Sequence, residues 1–225
     1  MASYAAQTVD SPNPVARYAH RSRLKRSLAL TLAHLGEGML LDYGCGSGAF
    51  LAQVLSRRPG RALGYEPYMV ERVGKHLPIH GTLAPIESSA PYALITLFET
   101  IEHLTDAELE AFLSLCSRLL TASGGILISA PIEIGPALIL KELNRSVLRL
   151  RLPEHHALEF IRASLFGIPA RRAPDIKTSH RGFDFRRARE VLARLGWRTR
   201  ILSYGPLPLV GWYGNSQVYM WAHRA

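Results

Sequence analysis

Residues 41 to 49 read LDYGCGSGA: the carboxylate of Asp42 stands two positions before Gly44, and Gly46 and Gly48 follow at every second place. Met39 to Tyr43 is a short apolar run of the kind that forms a buried strand, and Ala49 to Leu55 has helical spacing. A strand, a glycine turn and a helix in that order let the backbone approach a ligand where any side chain would collide. Gly44 to Ala49 also satisfies the permissive dinucleotide pattern, and Glu66 lies near the separation usual for a ribose-binding acid. On this loop alone a nicotinamide oxidoreductase stays open.

Outward from the loop, short apolar runs alternate with helical stripes. Arg61 to Tyr65 forms a second strand before Glu66 and Pro67, and Tyr92 to Phe98 a further one. Leu109, Phe112, Leu113, Cys116 and Leu120 make one helical face, opened by a capping box from Thr105 to Glu108 and closed by Gly124 and Gly125. Gly125 to Ala130 follows as a strand. This alternation predicts an α/β fold with a mostly parallel sheet covered by helices on both faces, and ligands at the carboxyl ends of the strands. Asp184 caps a helix with Ala188, Val191, Leu192 and Leu195 on its apolar face, ended by Gly196. Arg198 to Tyr204 and Gln217 to Ala222 supply the last strands.

At 225 residues with 48% hydrophobic content, the chain can bury a core as one domain spanning 1–225. No apolar run reaches the roughly 18 residues of a membrane-spanning helix. Ser27 to Leu35 lies behind a basic lead but runs straight into the glycine loop, and Leu24, Leu28, Leu32 and Leu35 fit an amphipathic helix. It therefore reads as a helical extension over residues 12–36 rather than a signal peptide. Two cysteines, Cys45 and Cys116, suit a reducing compartment, and a cytoplasmic location is the expectation.

The net charge of +9 is unevenly spread. Arg17, Arg21, Arg23, Lys25 and Arg26 stand without an acid among them, and residues 141 to 194 hold 13 Lys and Arg against 6 Asp and Glu. Residues 27 to 140 reverse the balance, with 6 against 11. Such asymmetry suits a partner bearing negative charge, whether nucleic acid, a membrane surface or a phosphorylated small molecule; the alternative is a plain solvated basic face.

Asp42 would be awkward beside a pyrophosphate but useful beside a ligand carrying an amino group and a sulfonium. LLDYGCGSG, then LGYEP, then YALITLFETIEHL, then SGGILISAP resemble, in order and spacing over residues 39 to 131, the successive motifs of the class I methyltransferases that use S-adenosylmethionine. The resemblance implies a Rossmann-like, seven-stranded, mostly parallel sheet with an antiparallel last strand, and a transferase with S-adenosylmethionine as cofactor. It places Asp42, Gly44, Gly46 and Gly48 around the methionine end, with backbone contacts from Tyr43 and Cys45. It puts Glu66 on both ribose hydroxyls, since one carboxylate offers acceptors to two neighbouring donors. The adenine contact falls at Gly81 to Leu83, where Thr82 stands in place of the acid many members carry, and Phe98 joins the cofactor set.

A sulfonium is already a good methyl electrophile, so the protein must hold a nucleophile in line and, for a hydroxyl acceptor, help remove its proton. Phe98 to Leu104 reads FETIEHL. Turned helically, Glu99, Glu102 and His103 share one face, and two carboxylates with an imidazole can bind a divalent cation. The stretch resembles both the ubiquinone-pathway O-methyltransferases and the small-RNA 2′-O-methyltransferases; in the latter a further histidine completes a metal site, and His180 stands in a suitable motif. The alternative is a loop-shaping role for Glu102 and His103 with no metal.

Residues 132–182 form an insertion that a methyltransferase core does not require. Lys141, Arg145 and Arg149 make one ridge and Leu143, Val147 and Leu150 another, so Pro136 to Leu152 reads as a basic amphipathic helix. A lid is the favoured reading, beside a membrane-surface contact and a packed helix; the adjacent His155 and His156 read as surface residues. The expected function is methyl transfer to oxygen on a small molecule or an envelope or lipid-linked intermediate. RNA 2′-O-methylation with a metal site and a non-catalytic cofactor-binding module are the alternatives.

Overall fold

The computed structural model describes residues 14–68, 76–143, 156–172 and 180–225. Arg145, Val147, Arg149, Leu150 and His155, which entered the reading of the insertion, lie outside them. The elements are α1 (Pro14–Leu35), β1 (Leu40–Tyr43), α2 (Ala49–Leu55), β2 (Ala62–Tyr65), β3 (Ile79–His80), α3 (Ala84–Ser88), β4 (Tyr92–Phe98), α4 (Asp106–Leu119), β5 (Leu120–Pro131), α5 (Ala137–Leu143), α6 (Ala157–Phe166), α7 (Phe185–Arg194), β6 (Trp197–Gly205) and β7 (Gln217–Arg224). Short 3₁₀ turns stand at Ile101–His103 and Trp212–Gly214.

The strands form one seven-stranded sheet in the order β3-β2-β1-β4-β5-β7-β6. β1 pairs in parallel with β2 and with β4, so the strand order reverses between β1 and β4. In an open sheet, that reversal leaves a crevice at the carboxyl ends of the two strands. β6 and β7 pair antiparallel, as the resemblance implies. By its internal contacts the chain divides into two compact units, Met1–Phe98 with Ser114–Ile128, and Glu99–Leu113 with Ser129–Ala225.

In the first unit Leu40, Leu41, Leu94, Ile95 and Leu97 are fully buried on β1 and β4, and Leu51 and Val54 bring α2 onto the sheet. A near-continuous apolar run is what a strand covered on both faces requires. The Tyr92 hydroxyl, buried at the start of β4, donates to Ile86 O at 2.8 Å, so its polar end is satisfied inside the core. Among the described side chains of α1 the buried ones are Ser27, Leu28, Thr31 and Leu35, a stripe with one hydroxyl for every leucine.

The capping box before α4 is present. Thr105 N donates to Glu108 Oε2 at 2.9 Å and Glu108 N to Thr105 Oγ1 at 3.2 Å. The expected end of that helix is wrong: α4 stops at Leu119, and Leu120 and Gly124 already belong to β5, which includes the expected strand from Gly125 to Ala130. Gly124 serves close approach instead, because a Cβ there would lie 3.0 Å from Ala93 O. Asp184 caps α7 as expected, accepting from Arg186 N at 2.9 Å. The insertion contains a helix that the sequence reading missed, α6; its leucines do not face inward, so helical periodicity alone gave no core stripe to find.

Candidate functional site

The glycine loop is built by backbone geometry that side chains resist. Gly44, Gly46 and Gly48 have φ of 74°, 54° and 83°, in the left-handed region that favours glycine. At Gly48, the N-cap of α2, space adds a second constraint, since a Cβ would lie 2.7 Å from Ile79 Cδ1 and 2.8 Å from Leu77 Cδ1. Gly64 on β2 completes the packing, because a Cβ there would lie 2.7 Å from Cys45 Sγ. The sequence reading missed Gly64, whose signal was a glycine inside a short strand.

The first half of the loop is tied to β2 and to the residue that follows it. Gly44 N and Cys45 N donate to Tyr65 O at 2.8 and 3.2 Å. Gly46 N donates to Glu66 Oε2 at 3.1 Å, and Tyr68 N donates to Glu66 Oε1 at 3.0 Å. Glu66 thus fixes the loop, and a carboxylate with about four lone-pair sites keeps acceptors for further donors. The amide of Cys45 is taken up by Tyr65 O on β2. The rings of Tyr43 and Tyr65 meet tilted at 41° with centroids 4.8 Å apart, and Phe98 meets Phe50 edge to face at 5.0 Å. Thr82 is exposed in the loop after β3.

Asp42 is the unusual group of this set. It is buried on β1, and Thr96 Oγ1 donates to its Oδ1 at 2.7 Å. Burial outweighs that hydrogen bond and, with the nearby Glu66 charge, pushes its carboxyl up to about 7. A cationic ligand beside it would restore the ionised form. Positive-φ glycines, a buried carboxylate with a raised pKa and a second carboxylate at the next strand end suit a ligand with an amino group, a sulfonium and a ribose.

The second unit holds the acid and histidine group. Glu102 is fully buried in the 3₁₀ turn, and neither of its carboxylate oxygens has a hydrogen-bond partner among the described residues. His180 Nε2 lies 3.7 Å from Glu102 Oε1, and its Nδ1 lies 3.8 Å from Glu133 Oε1. The His103 and His180 rings meet at 5.2 Å. Glu102, His103 and His180 each offer one ligand atom, all within 4.8 Å of one another.

Glu99 departs from the expected arrangement. Its φ of 49° breaks the helical turn that would have set it on a face with Glu102 and His103. Ser129 Oγ donates to its Oε1 at 3.3 Å and Gln217 Nε2 donates to the same oxygen, so the carboxylate is turned to β5 and β7. It remains an electrostatic neighbour. Burial chiefly, and Glu99 next, raise the Glu102 carboxyl well above its ordinary range. Burial, then Lys141, lower the His180 imidazole.

Three further members were missed. Glu133 is buried and paired with Lys141, and Arg172 donates to the Glu102 carbonyl. Glu133 did leave a signal, an acid between Ile132 and Ile134 at the end of a buried strand. Lys141, expected on an outward basic ridge, turns its ammonium to Glu133 instead. His156 is the exposed N-cap position of α6 and takes no part.

A mostly parallel sheet with its order reversed beside a glycine loop, and an acidic residue at the next strand end, define a Rossmann-like nucleotide-binding class. Residues 16–165 match the family described as a methyltransferase domain, and the chain belongs to that family: it is a class I S-adenosylmethionine-dependent methyltransferase. Among proteins of curated function none matches the chain in sequence. Solved structures share its fold. The plantazolicin methyltransferase BpumL, in complex with a triazolic desmethylPZN analog and SAH, has a TM-score of 0.57 at 12% identity, covering 98% of this chain and 89% of that one. A SAM-dependent methyltransferase from Archaeoglobus fulgidus has a TM-score of 0.55 at 14% identity, covering 95% and 100%. The methyltransferase domain of the bacterial protein CtHen1-CN has a TM-score of 0.54 at 16% identity, covering 92% and 100%.

Proposed function

We propose that the enzyme methylates a hydroxyl oxygen on a small molecule or a lipid-linked intermediate. The observation that carries this reading is Glu102, a fully buried carboxyl without a hydrogen-bond partner among the described residues, grouped with His103 and His180. A neutral amine can attack a methyl donor unaided, whereas a hydroxyl must lose its proton as it reacts, and a buried acid–imidazole pair is suited to take it. S-adenosylmethionine, when bound, supplies the activated methyl group. Asp42, the glycine loop and Glu66 bind and orient that cofactor; Glu66 holds the ribose and Asp42 faces its cationic end.

His180, held neutral by burial, accepts the hydroxyl proton. The positive charge that results favours the ionised form of Glu102, 3.7 Å away, and that carboxylate then steadies the imidazolium. The test is incubation with labelled S-adenosylmethionine and a panel of hydroxylated, aminated and carbon acceptors, reading which atom carries the label. A methyl ether supports the reading; methylated nitrogen or carbon alone overturns it.

The close grouping of Glu102, His103 and His180 favours a second reading of the same site, in which the three hold a divalent cation. The cation would require Glu102 ionised, so its binding would release a proton. In this reading activity needs Mg²⁺ or a similar ion and is lost on adding a chelator. In the acid–base reading the chelator leaves the rate unchanged.

For the cofactor side, Glu66→Ala is expected to weaken S-adenosylhomocysteine binding by about 1–3 kcal/mol, the cost of leaving polar partners unsatisfied. Part of that loss comes from Gly46 N, which loses its acceptor. Calorimetry on the two proteins checks it, and equal affinities would move the ribose contact elsewhere.

A further inference from the structure

Two helices of the second unit wear their apolar residues outward. On α6, Leu158, Ile161 and Leu165 share one stripe by their spacing of three and four, and all are exposed, Leu158 to 68%. Ala163 and Ser164 take the buried positions, and Ser164 Oγ satisfies itself on Phe160 O at 2.6 Å within the same helix. α5 repeats the inversion, burying Leu138 and Glu142 while Leu140 and Leu143 stand exposed. α7 shows the ordinary arrangement, with Phe185, Ala188, Val191 and Leu192 buried. A surface helix normally turns its apolar stripe to the core, and a contiguous outward stripe marks an interaction face.

A loop is seated beside these helices. α5 and α6 pack together, with Gly135 N donating to Ala163 O at 2.8 Å. Trp212 fills space that glycine leaves at both: a Cβ on Gly135 would lie 3.1 Å from its Cζ3, and one on Gly167 3.0 Å from its Cη2. Just before Trp212, Leu209 is 99% exposed. The fully buried Asn215 holds that loop in place, donating from Nδ2 to Leu207 O at 2.8 Å and Gly211 O at 2.6 Å and accepting from Leu207 N at 2.6 Å. A buried amide is thus committed to presenting an exposed leucine.

Positive charge accompanies the apolar side chains. Arg162 sits in the α6 stripe itself, and Arg162 and Arg171, with Glu159 and Pro169, line a cavity of about 250 Å³. Glu159 is paired with Arg181, so the two arginines set the sign of the cleft. Two guanidinium groups beside an apolar stripe suit a phosphate next to hydrocarbon.

We propose that this face, formed by α5, α6 and the loop carrying Leu209, docks on an anionic phospholipid surface. The exposed leucines and Phe166 enter the boundary between headgroups and acyl chains, and Arg162 and Arg171 take the phosphates. No helix among the described residues is long and apolar enough to cross a membrane, so the contact is peripheral. A second copy of the chain is the poorer occupant. A twofold pairing through this face would put Arg162 and Arg171 of both copies into one interface, and a net charge of +9 opposes self-association while favouring an anionic bilayer. The proposal stands on the outward stripes, whichever acceptor the enzyme methylates.

The test is co-sedimentation of the full chain with vesicles of phosphatidylcholine alone and of phosphatidylcholine mixed with phosphatidylglycerol. The expected result is binding to the mixed vesicles, weakened by salt, and much less to phosphatidylcholine. The double variant Leu158→Gln, Leu165→Gln should lower partitioning about tenfold or more, and Arg162→Gln and Arg171→Gln about fivefold each on the mixed vesicles only. All these side chains are exposed, so each variant should keep its melting temperature and its affinity for S-adenosylhomocysteine. No sedimentation with the mixed vesicles, or leucine variants that bind like the parent, would overturn the proposal. So would a dimer in vesicle-free buffer that the leucine substitutions disperse, which gives the face to a second copy.

Discussion

Alanine at His180 is expected to lower kcat about 10²- to 10⁴-fold, the range for losing a positioned acid or base, while S-adenosylhomocysteine binds as before. His180 is the group that joins Glu102, Glu133 and the His103 ring, at 3.7, 3.8 and 5.2 Å. Its imidazole is lowered from an ordinary value of 6.5 by burial and then by Lys141, so it is neutral and able to accept a proton at neutral pH. Protonation disables a base, so the acidic limb of kcat should fall below that ordinary value. The companion substitution Glu102→Gln separates chemistry from folding. The raised Glu102 carboxyl costs the folded chain stability as pH rises from its unfolded pKa through its folded one. Glutamine escapes that cost, so this variant should melt no lower than the parent above neutral pH yet turn over slowly. Unchanged kcat in both variants would remove the cluster from the reaction.

The second large effect is expected at Asp42, with opposite signs on stability and binding. Its carboxyl ionises at 3.8 in the unfolded chain and at about 7 in the fold, where burial opposes the charge. The folded state therefore binds one more proton than the unfolded state between those two values, and stability is lost as pH rises through that window. Above it, Asp42→Asn should stabilise the cofactor-free protein by about 2–4 kcal/mol, with little gain near pH 4. The asparagine still accepts from Thr96, so the change removes charge and little else. Cofactor affinity should move the other way: in the parent it tightens as Asp42 ionises, and in the variant it is weaker and loses that pH dependence. Denaturant melts and calorimetry at several pH values check both. Destabilisation by asparagine near pH 8 would mean that the buried carboxylate is compensated by more than Thr96.

The glycine loop and the sheet around it were legible because each local signal repeats the same demand. Gly48 needs both its φ of 83° and the space beside Ile79, and only glycine meets both. Tyr92 to Phe98 is apolar because both faces of β4 are covered, and its bounds agree with the sequence reading. Where two signals compete, tertiary contacts decide between them. Gly124 looks like part of a helix stop but sits inside β5, where a side chain would crowd Ala93. Glu99 has helical spacing to Glu102 and His103, yet Ser129 and Gln217, far along the chain, draw it away. Glu133, Lys141 and Arg172 join the cluster through tertiary pairing that no local spacing records. α6 escaped notice because its stripe faces solvent, and amphipathicity tells which residues share a face but not which side is wet.

Calorimetric titration of the purified chain with S-adenosylhomocysteine and, separately, with NADH distinguishes the two ligands that its glycine loop alone would admit. Saturable binding of S-adenosylhomocysteine, weakened in Glu66→Ala, with no heat from NADH, is the expected outcome. Tight binding of NADH with no response to S-adenosylhomocysteine would contradict it.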